Sequence, residues 1–205
     1  KPRGPQKKLP VVFYIHGGSL TTGQAWWEDY NGESYAKNDV IFVNFSYRLG
    51  ALGFYADENL ASESPNGTTG MYGFLDQLKA LDWVRANIEK FGGDPDNITI
   101  AGESAGSSSV NAMCTSPLAK GKFKYAISES SSITAKNPPH SYMDIKTAIK
   151  QGKSLRDELG AKNPKDLRKI SAEDIANTNT KYGTLNAMTN DGYALTKSPY
   201  ESYMA

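Results

Sequence analysis

Apolar residues along this chain fall into two kinds of pattern. The first is a short unbroken run: residues 9–15 and 40–45 are rich in β-branched and aromatic side chains and do not alternate with polar ones. That predicts strands buried on both faces, as in a parallel sheet. Residues 98–101 and 124–128 read as two further strands. The second pattern is helical. From Phe74 the apolar positions Phe74, Leu78, Leu81, Val84, Ile88 and Phe91 recur three or four residues apart, with Asp76, Lys79, Asp82, Arg85 and Glu89 between them. This predicts an amphipathic helix, stopped by Gly92-Gly93-Asp94-Pro95. Residues 105–114 fit a second helix, ended by Ser116-Pro117.

Residues 19–39 read as a loop with a short helix around 33–37, and a polar loop is expected after Phe54, up to Gly70. Strands alternating with helices imply β-α-β crossovers and an α/β layer structure over residues 1–136. From about residue 137 the pattern changes to helical segments without strands. Ile145, Ile149, Leu155 and Leu159 mark one side of a helix closed by Gly160, and Asn163-Pro164 and Ser171 open shorter ones. Residues 137–205 are therefore expected to form a helical cap or excursion over the sheet and a return segment, with a small separate helical domain as the alternative. An exposed turn and extended segment is expected at 190–199.

Composition narrows the picture little. With 205 residues, 39% hydrophobic and 22% charged, the chain is long enough for one ordinary core. A net charge of +1, with both signs interleaved, gives no electrostatic reason to expect nucleic acid or an anionic membrane. The basic residues of 1–8 read as a solvated loop. Cys114 is the single cysteine, so no disulfide forms within the chain. Its neighbours Val110 and Met113 predict a buried, inert thiol. No apolar run approaches the length that spans a bilayer. The chain starts at Lys1 with neither methionine nor signal peptide, which leaves localisation, cytoplasmic or secreted, open.

The chemistry gathers at strand ends. Gly102-Glu103-Ser104-Ala105-Gly106 follows the run at 98–101 and precedes a helix, the strand, turn and helix context of a nucleophile elbow. Flanking glycines suit a turn so sharp that a side chain there would strike neighbouring backbone. Ser104 is the candidate nucleophile. His16-Gly17-Gly18-Ser19 closes the first strand, where a glycine-lined loop can aim N–H groups at a substrate carbonyl. With the N–H of Ala105, Gly18 and Ser19 are the candidate oxyanion donors. His16 is expected to brace this loop by hydrogen bonding, and Glu103 to tune the surroundings of Ser104. Trp26, Trp27 and Tyr30 follow the loop. The base is missing: the other histidine, His140, lies 36 residues after Ser104 with no sheet strand before it. Nothing resembles a metal site, a P-loop, a dinucleotide fingerprint or an S-x-x-K serine mechanism, and no cofactor is implied.

The word from Phe91 to Gly106, Phe-Gly-Gly-Asp-Pro-Asp-Asn-Ile-Thr-Ile-Ala-Gly-Glu-Ser-Ala-Gly, resembles the serine signature of the type-B carboxylesterases, the family of cholinesterases and bacterial para-nitrobenzyl esterases. Further words follow that family's order: His16-Gly17-Gly18, Tyr47-Arg48-Leu49-Gly50, Asp76-Gln77, Ser116-Pro117-Leu118 and Ala126-Ile127-Ser128. The resemblance implies an α/β-hydrolase, a mostly parallel sheet flanked by helices, incomplete in this chain. It implies ester hydrolysis through an acyl-serine at Ser104, with oxyanion donors at Gly18, Ser19 and Ala105. Ser130 matches a serine that supports the catalytic acid. Serine stands at 19 and 131 where the family usually has glycine. The family's glutamate and histidine fall well after the elbow, so they are expected outside this chain. The remaining segments of the same polypeptide or a complementary chain would supply them, and a small-molecule ester is the expected substrate, in the aromatic-lined gorge that the resemblance implies and to which Trp26 and Trp27 would contribute. The competing class is a catalytically silent cholinesterase-like adhesion or binding protein, against which an intact Ser104 argues.

Overall fold

The computed structural model describes residues 8–182 and 185–205; of the basic approach at 1–8, residues 1–7 lie outside them and Lys8 is exposed. Four strands form one parallel sheet: β1 (Leu9–Ile15), β2 (Ile41–Asn44), β3 (Gly93–Glu103) and β4 (Tyr125–Glu129), in the order β2-β1-β3-β4. This is the mostly parallel, helix-flanked sheet expected from the sequence. From β1 the chain steps out to β2, and from β3 it steps the opposite way to β4. Successive connections thus diverge between β1 and β3, which opens a crevice at the carboxyl ends of those two strands. The loop after β1 and the elbow after β3 both emerge there.

The sequence runs explain which strands are inside. Val11, Phe13 and Ile15 of β1 and Ile98 and Ile100 of β3 are completely buried. Burial on both faces, expected for the first two runs, is not reached: Val12 and Tyr14 of β1 and every residue of β2 are half-buried, and every residue of the other edge strand, β4, is exposed. Apolar composition alone does not tell an inner strand from an edge strand, because both carry β-branched residues.

Helix α1 (Glu33–Ala36) precedes β2. Helix α2 (Gly50–Phe54) lies just ahead of the stretch expected as polar loop, and that stretch instead contains α3 (Glu58–Glu63), which Asp57 caps by accepting from the Asn59 N–H at 2.8 Å. These helices are five and six residues long, too short to show a periodic apolar face. The long helix α4 (Tyr72–Asn87) buries Phe74, Leu78, Leu81 and Val84 as its spacing requires. A 3-10 turn over Ile88–Phe91 then changes the angular register, so Ile88 stays buried but Phe91 is 65% exposed. Helix α5 (Ala105–Thr115) starts directly after the elbow. Buried Gln77 on α4 donates to Ser109 on α5 at 3.0 Å. Val110, Ala112 and Met113 of α5 face inward, but Cys114 points outward and is exposed rather than buried.

The C-terminal part contains strands that its sequence does not announce. β5 (Ser141–Met143) and β6 (Ala187–Thr189) pair in parallel as a separate two-stranded sheet. Between them lie α6 (Ile145–Glu158), α7 (Pro164–Leu167) and α8 (Ala172–Tyr182). Three-residue strands are too short to carry a period of two, and their partners lie 46 residues apart. Arg156 on α6 forms a nearly buried ion pair with Asp57, which also accepts from the Tyr55 hydroxyl at 3.0 Å. The segment expected to be exposed at 190–199 turns inward. One carboxylate oxygen of Asp191 accepts from the N–H groups of Tyr193, Ala194 and Leu195 at 3.1, 2.8 and 3.0 Å, and Ala194 and Leu195 are fully buried. Helix α9 (Pro199–Met204) ends the chain with a capping box built by Ser198 and Glu201.

Candidate active site

The turn between β3 and α5 places Ser104 at φ 55°, ψ −122°, a region that L-residues rarely occupy and that costs about 1–3 kcal/mol. Backbone packing imposes it. A Cβ on Gly106 would lie 2.0 Å from the Ile15 carbonyl oxygen, and one on Gly102 would lie 2.5 Å from the Gly106 carbonyl carbon. The elbow therefore rests directly on the end of β1, which glycine alone permits. Ser104 N–H donates to the Glu129 carbonyl at 2.9 Å, and its own carbonyl accepts from Ser108 N–H at 3.0 Å. Its hydroxyl has no hydrogen-bond partner among the described residues. Ala105 is the first residue of an 11-residue helix, where N–H groups lack intrahelical acceptors and the helix dipole favours negative charge.

The loop after β1 is wound unusually. Gly18, Ser19 and Leu20 have φ of 101°, 55° and 58°. The Gly18 carbonyl accepts from the N–H groups of both Thr21 and Thr22 at 3.0 Å, and Leu20, fully buried, accepts through its carbonyl from Gly50 N–H at 2.7 Å. The loop is thus pinned on either side of exposed Ser19. The N–H groups of Gly18 and Ser19 donate to nothing among the described residues. At Gly17 the loop touches the elbow: a Cβ there would sit 2.8 Å from the Glu103 carbonyl oxygen and 3.2 Å from the Ser104 Cβ. Two segments 86 residues apart in sequence, counted from Gly18 to Ser104, thus meet at one crevice.

His16 is buried beneath this loop, 2% exposed. Its Nδ1 lies 2.9 Å from the Gly17 carbonyl oxygen, which requires a proton on Nδ1. The ring stacks on Tyr47 with centroids 4.4 Å apart and faces Tyr30 at 6.4 Å, and the Tyr47 hydroxyl donates to the His16 carbonyl at 2.8 Å. Nε2 is buried without a partner. Burial lowers the His16 pKa below the ordinary 6.5, partly opposed by the bond to Gly17. The unfolded chain therefore binds a proton before the folded one does. Stability is full above about pH 6.5 and falls as the pH drops from there through the lower folded value, by at most about 1.4 kcal/mol per pH unit. Denaturant titrations of the parent and His16→Gln are expected to diverge in that window, with the shallower slope in His16→Gln; parallel curves would refute the assignment.

Other candidates are placed as follows. Glu103 is exposed, with a carboxylate oxygen facing Gly17, and its charge helps raise the pKa of Tyr30, for which burial is the main cause. Ser130, directly after β4, is exposed and also left-handed at φ 61°. Trp26 and Trp27 are 75% and 40% exposed; Trp27 stacks on Tyr30 at 6.1 Å, and no contact ties either indole to Ser104. His140 sits 3.5 Å from the Ser132 hydroxyl. Neither histidine bonds to Ser104. An apolar cavity of about 460 Å³ between α2 and α6 to α8 has none of Ser104, Gly18 or Ala105 in its lining. Sequence reading does not single out Tyr47, 31 residues from His16, or the bond between Ser108 and Ser131; for Tyr47 the available signal was its place in the Tyr47-Arg48-Leu49-Gly50 word.

An elbow after an inner parallel strand, against a left-handed loop, has counterparts among known proteins. The model of the carboxylesterase family matches residues 1–204. The chain belongs to the carboxylesterase family. Human cocaine esterase is 37% identical over 195 residues, which cover 94% of this chain and 33% of that protein. The fumonisin B1 esterase of Sphingopyxis macrogoltabida is 46% identical over 122 residues, 60% of this chain and 23% of its own length. The crystal structure of the Geobacillus stearothermophilus carboxylesterase EST55 superposes with a TM-score of 0.87 at 34% identity, covering 97% of this chain and 41% of that one. The chain thus spans less than half the length of each of these proteins, and its sheet has the α/β-hydrolase arrangement.

Proposed function

We propose that the protein carrying this chain is a serine carboxylesterase. The Ser104 Oγ attacks the carbonyl carbon of a carboxylic ester, its proton passes to a base, and the carbonyl electrons move onto oxygen as an oxyanion. The N–H groups of Gly18, Ser19 and Ala105 take that charge. Collapse expels the alcohol, which leaves with the proton; water then attacks the acyl-serine and releases the acid, restoring Ser104. The observation that carries this reading is the joint geometry of the strained Ser104 and the unpaired N–H groups of the pinned loop resting against it.

The base and its orienting acid are assigned to a histidine and a carboxylate outside these 205 residues, on the same longer polypeptide or on a complementary chain. His16, held as the Nδ1-protonated tautomer with its other nitrogen enclosed, is a brace for the oxyanion loop and not the base. Glu103, next to the nucleophile in the turn, is assigned to tune its surroundings, and Ser130 is assigned to the missing acid. Trp26 and Trp27 line the approach for a small aryl or alkyl ester, and residues 137–205 cap the core. The test is a fluorophosphonate probe applied to the intact protein, followed by peptide mapping. The adduct is expected on Ser104; an unlabelled Ser104 in a folded protein would end the esterase reading.

A further inference from the structure

The peptide of Ser104 is held by two supports. On one side its N–H donates to the Glu129 carbonyl, at the end of β4; on the other its carbonyl accepts from Ser108 N–H, in the first turn of α5. These supports are joined by one side-chain contact beyond the strand: the hydroxyls of Ser108 and Ser131 lie 3.1 Å apart. Ser108 is 1% exposed. The Ser131 hydroxyl oxygen also accepts from Ile133 N–H at 3.2 Å, and Ile133 is fully buried, so the turn is anchored at its far end. Between the anchored ends sits Ser130 at φ 61°, a conformation a serine keeps only where its neighbours impose it. The Ser107 and Ser128 hydroxyls, 2.6 Å apart, fasten the strand itself to α5; the turn that follows depends on Ser108 and Ser131.

We propose that the hydrogen bond between Ser108 and Ser131 is a positioning device that sets how fast Ser104 is acylated, a proposal that rests on Ser104 being the nucleophile. Without the bond the turn at 129–132 relaxes toward ordinary backbone angles and draws the Glu129 carbonyl away from Ser104 N–H. The strained peptide of Ser104 then rotates and carries Oγ off its line to the carbonyl held by the oxyanion loop. Neither serine touches substrate. Small displacements of a reacting atom lower rate steeply. Loss of one neutral hydrogen bond corresponds to roughly a 3- to 10-fold slowing.

The experiment uses the intact protein with Ser108→Ala, Ser131→Ala, both together, and Ser131→Thr. It reads the second-order rate of fluorophosphonate labelling, kcat and KM for p-nitrophenyl acetate, and the thermal midpoint. Each single alanine variant is expected to label about 3- to 10-fold more slowly, with kcat lowered and KM unchanged. The double variant is expected to be no slower than the slower single, and Ser131→Thr, which keeps the hydroxyl, to label within about twofold of the parent. Labelling at the parental rate in a folded Ser108→Ala or Ser131→Ala protein would overturn the proposal. So would multiplied losses in the double variant, or a threonine variant as slow as the alanine one. If Ser131→Ala does not fold, Ser108→Ala and Ser131→Thr decide. Failure of the nucleophile assignment is separable, because it leaves the parent unlabelled at Ser104.

Discussion

Ser104→Gly is expected to abolish ester hydrolysis in the intact protein while raising its stability by about 1 kcal/mol. Loss of a serine nucleophile lowers kcat by about 10⁶-fold, leaving only what the oxyanion donors and binding supply. The stability gain comes from the backbone. At φ 55°, ψ −122° a residue with a Cβ stores about 1–3 kcal/mol, and glycine releases much of it while losing some through its freer unfolded chain. Ser104→Ala separates the two effects: it removes the hydroxyl but keeps the Cβ, so activity is lost and stability stays within about 0.5 kcal/mol of the parent. Hydrolysis of p-nitrophenyl acetate and urea midpoints measure both. A Gly variant no more stable than the Ala variant would show that the elbow is not strained, and an active Ala variant that Ser104 is not the nucleophile.

Gly106→Ala carries the largest structural effect. Inside a helix, alanine is intrinsically better than glycine by about 1 kcal/mol, so local propensity alone would call for a gain. Tertiary structure reverses the sign. The new methyl would lie 2.0 Å from the Ile15 carbonyl oxygen and 2.9 Å from its carbon, both backbone atoms with no rotamer to change. Helix α5 must then separate from β1, at a loss of about 3 kcal/mol or more. Since Ser104 is the N-cap of α5, the displacement also moves the elbow, and any folded fraction is expected to label slowly with fluorophosphonate. Gly192→Ala is the comparison: its φ of +84° is unfavourable for alanine but nothing lies within 4 Å of the added carbon, so about 1 kcal/mol is expected. Urea midpoints that rank Gly106→Ala as the milder change would contradict the contact between elbow and strand.

The reversal at Gly106 marks where local information stops. The elbow could be read from the sequence because its parts are neighbours: an apolar run, two glycines around a serine, and a helix-compatible stretch. The existence of α4 and its inward face were legible for the same reason, since spacing three and four apart is a local property. Even there the register was lost at the 3-10 turn, which rotates Phe91 out to solvent. Short elements left too few residues for a pattern, so α2, α3, β5 and β6 appear only with the fold.

Sequence by itself determined where the sheet's four strands lie along the chain, the family, and which serine stands at the turn, because β-branched runs and glycine punctuation act within a few residues of themselves. Tertiary structure decided everything that depends on distant partners. It set β2 and β4 at the edges, turned Cys114 outward, and drew Ala194 and Leu195 into the core through the Asp191 carboxylate. It also stacked His16 on Tyr47 and joined Ser108 to Ser131, contacts that span 31 and 23 positions. Burial and hydrogen bonding are satisfied in space, and their partners are chosen by packing, not by adjacency along the chain.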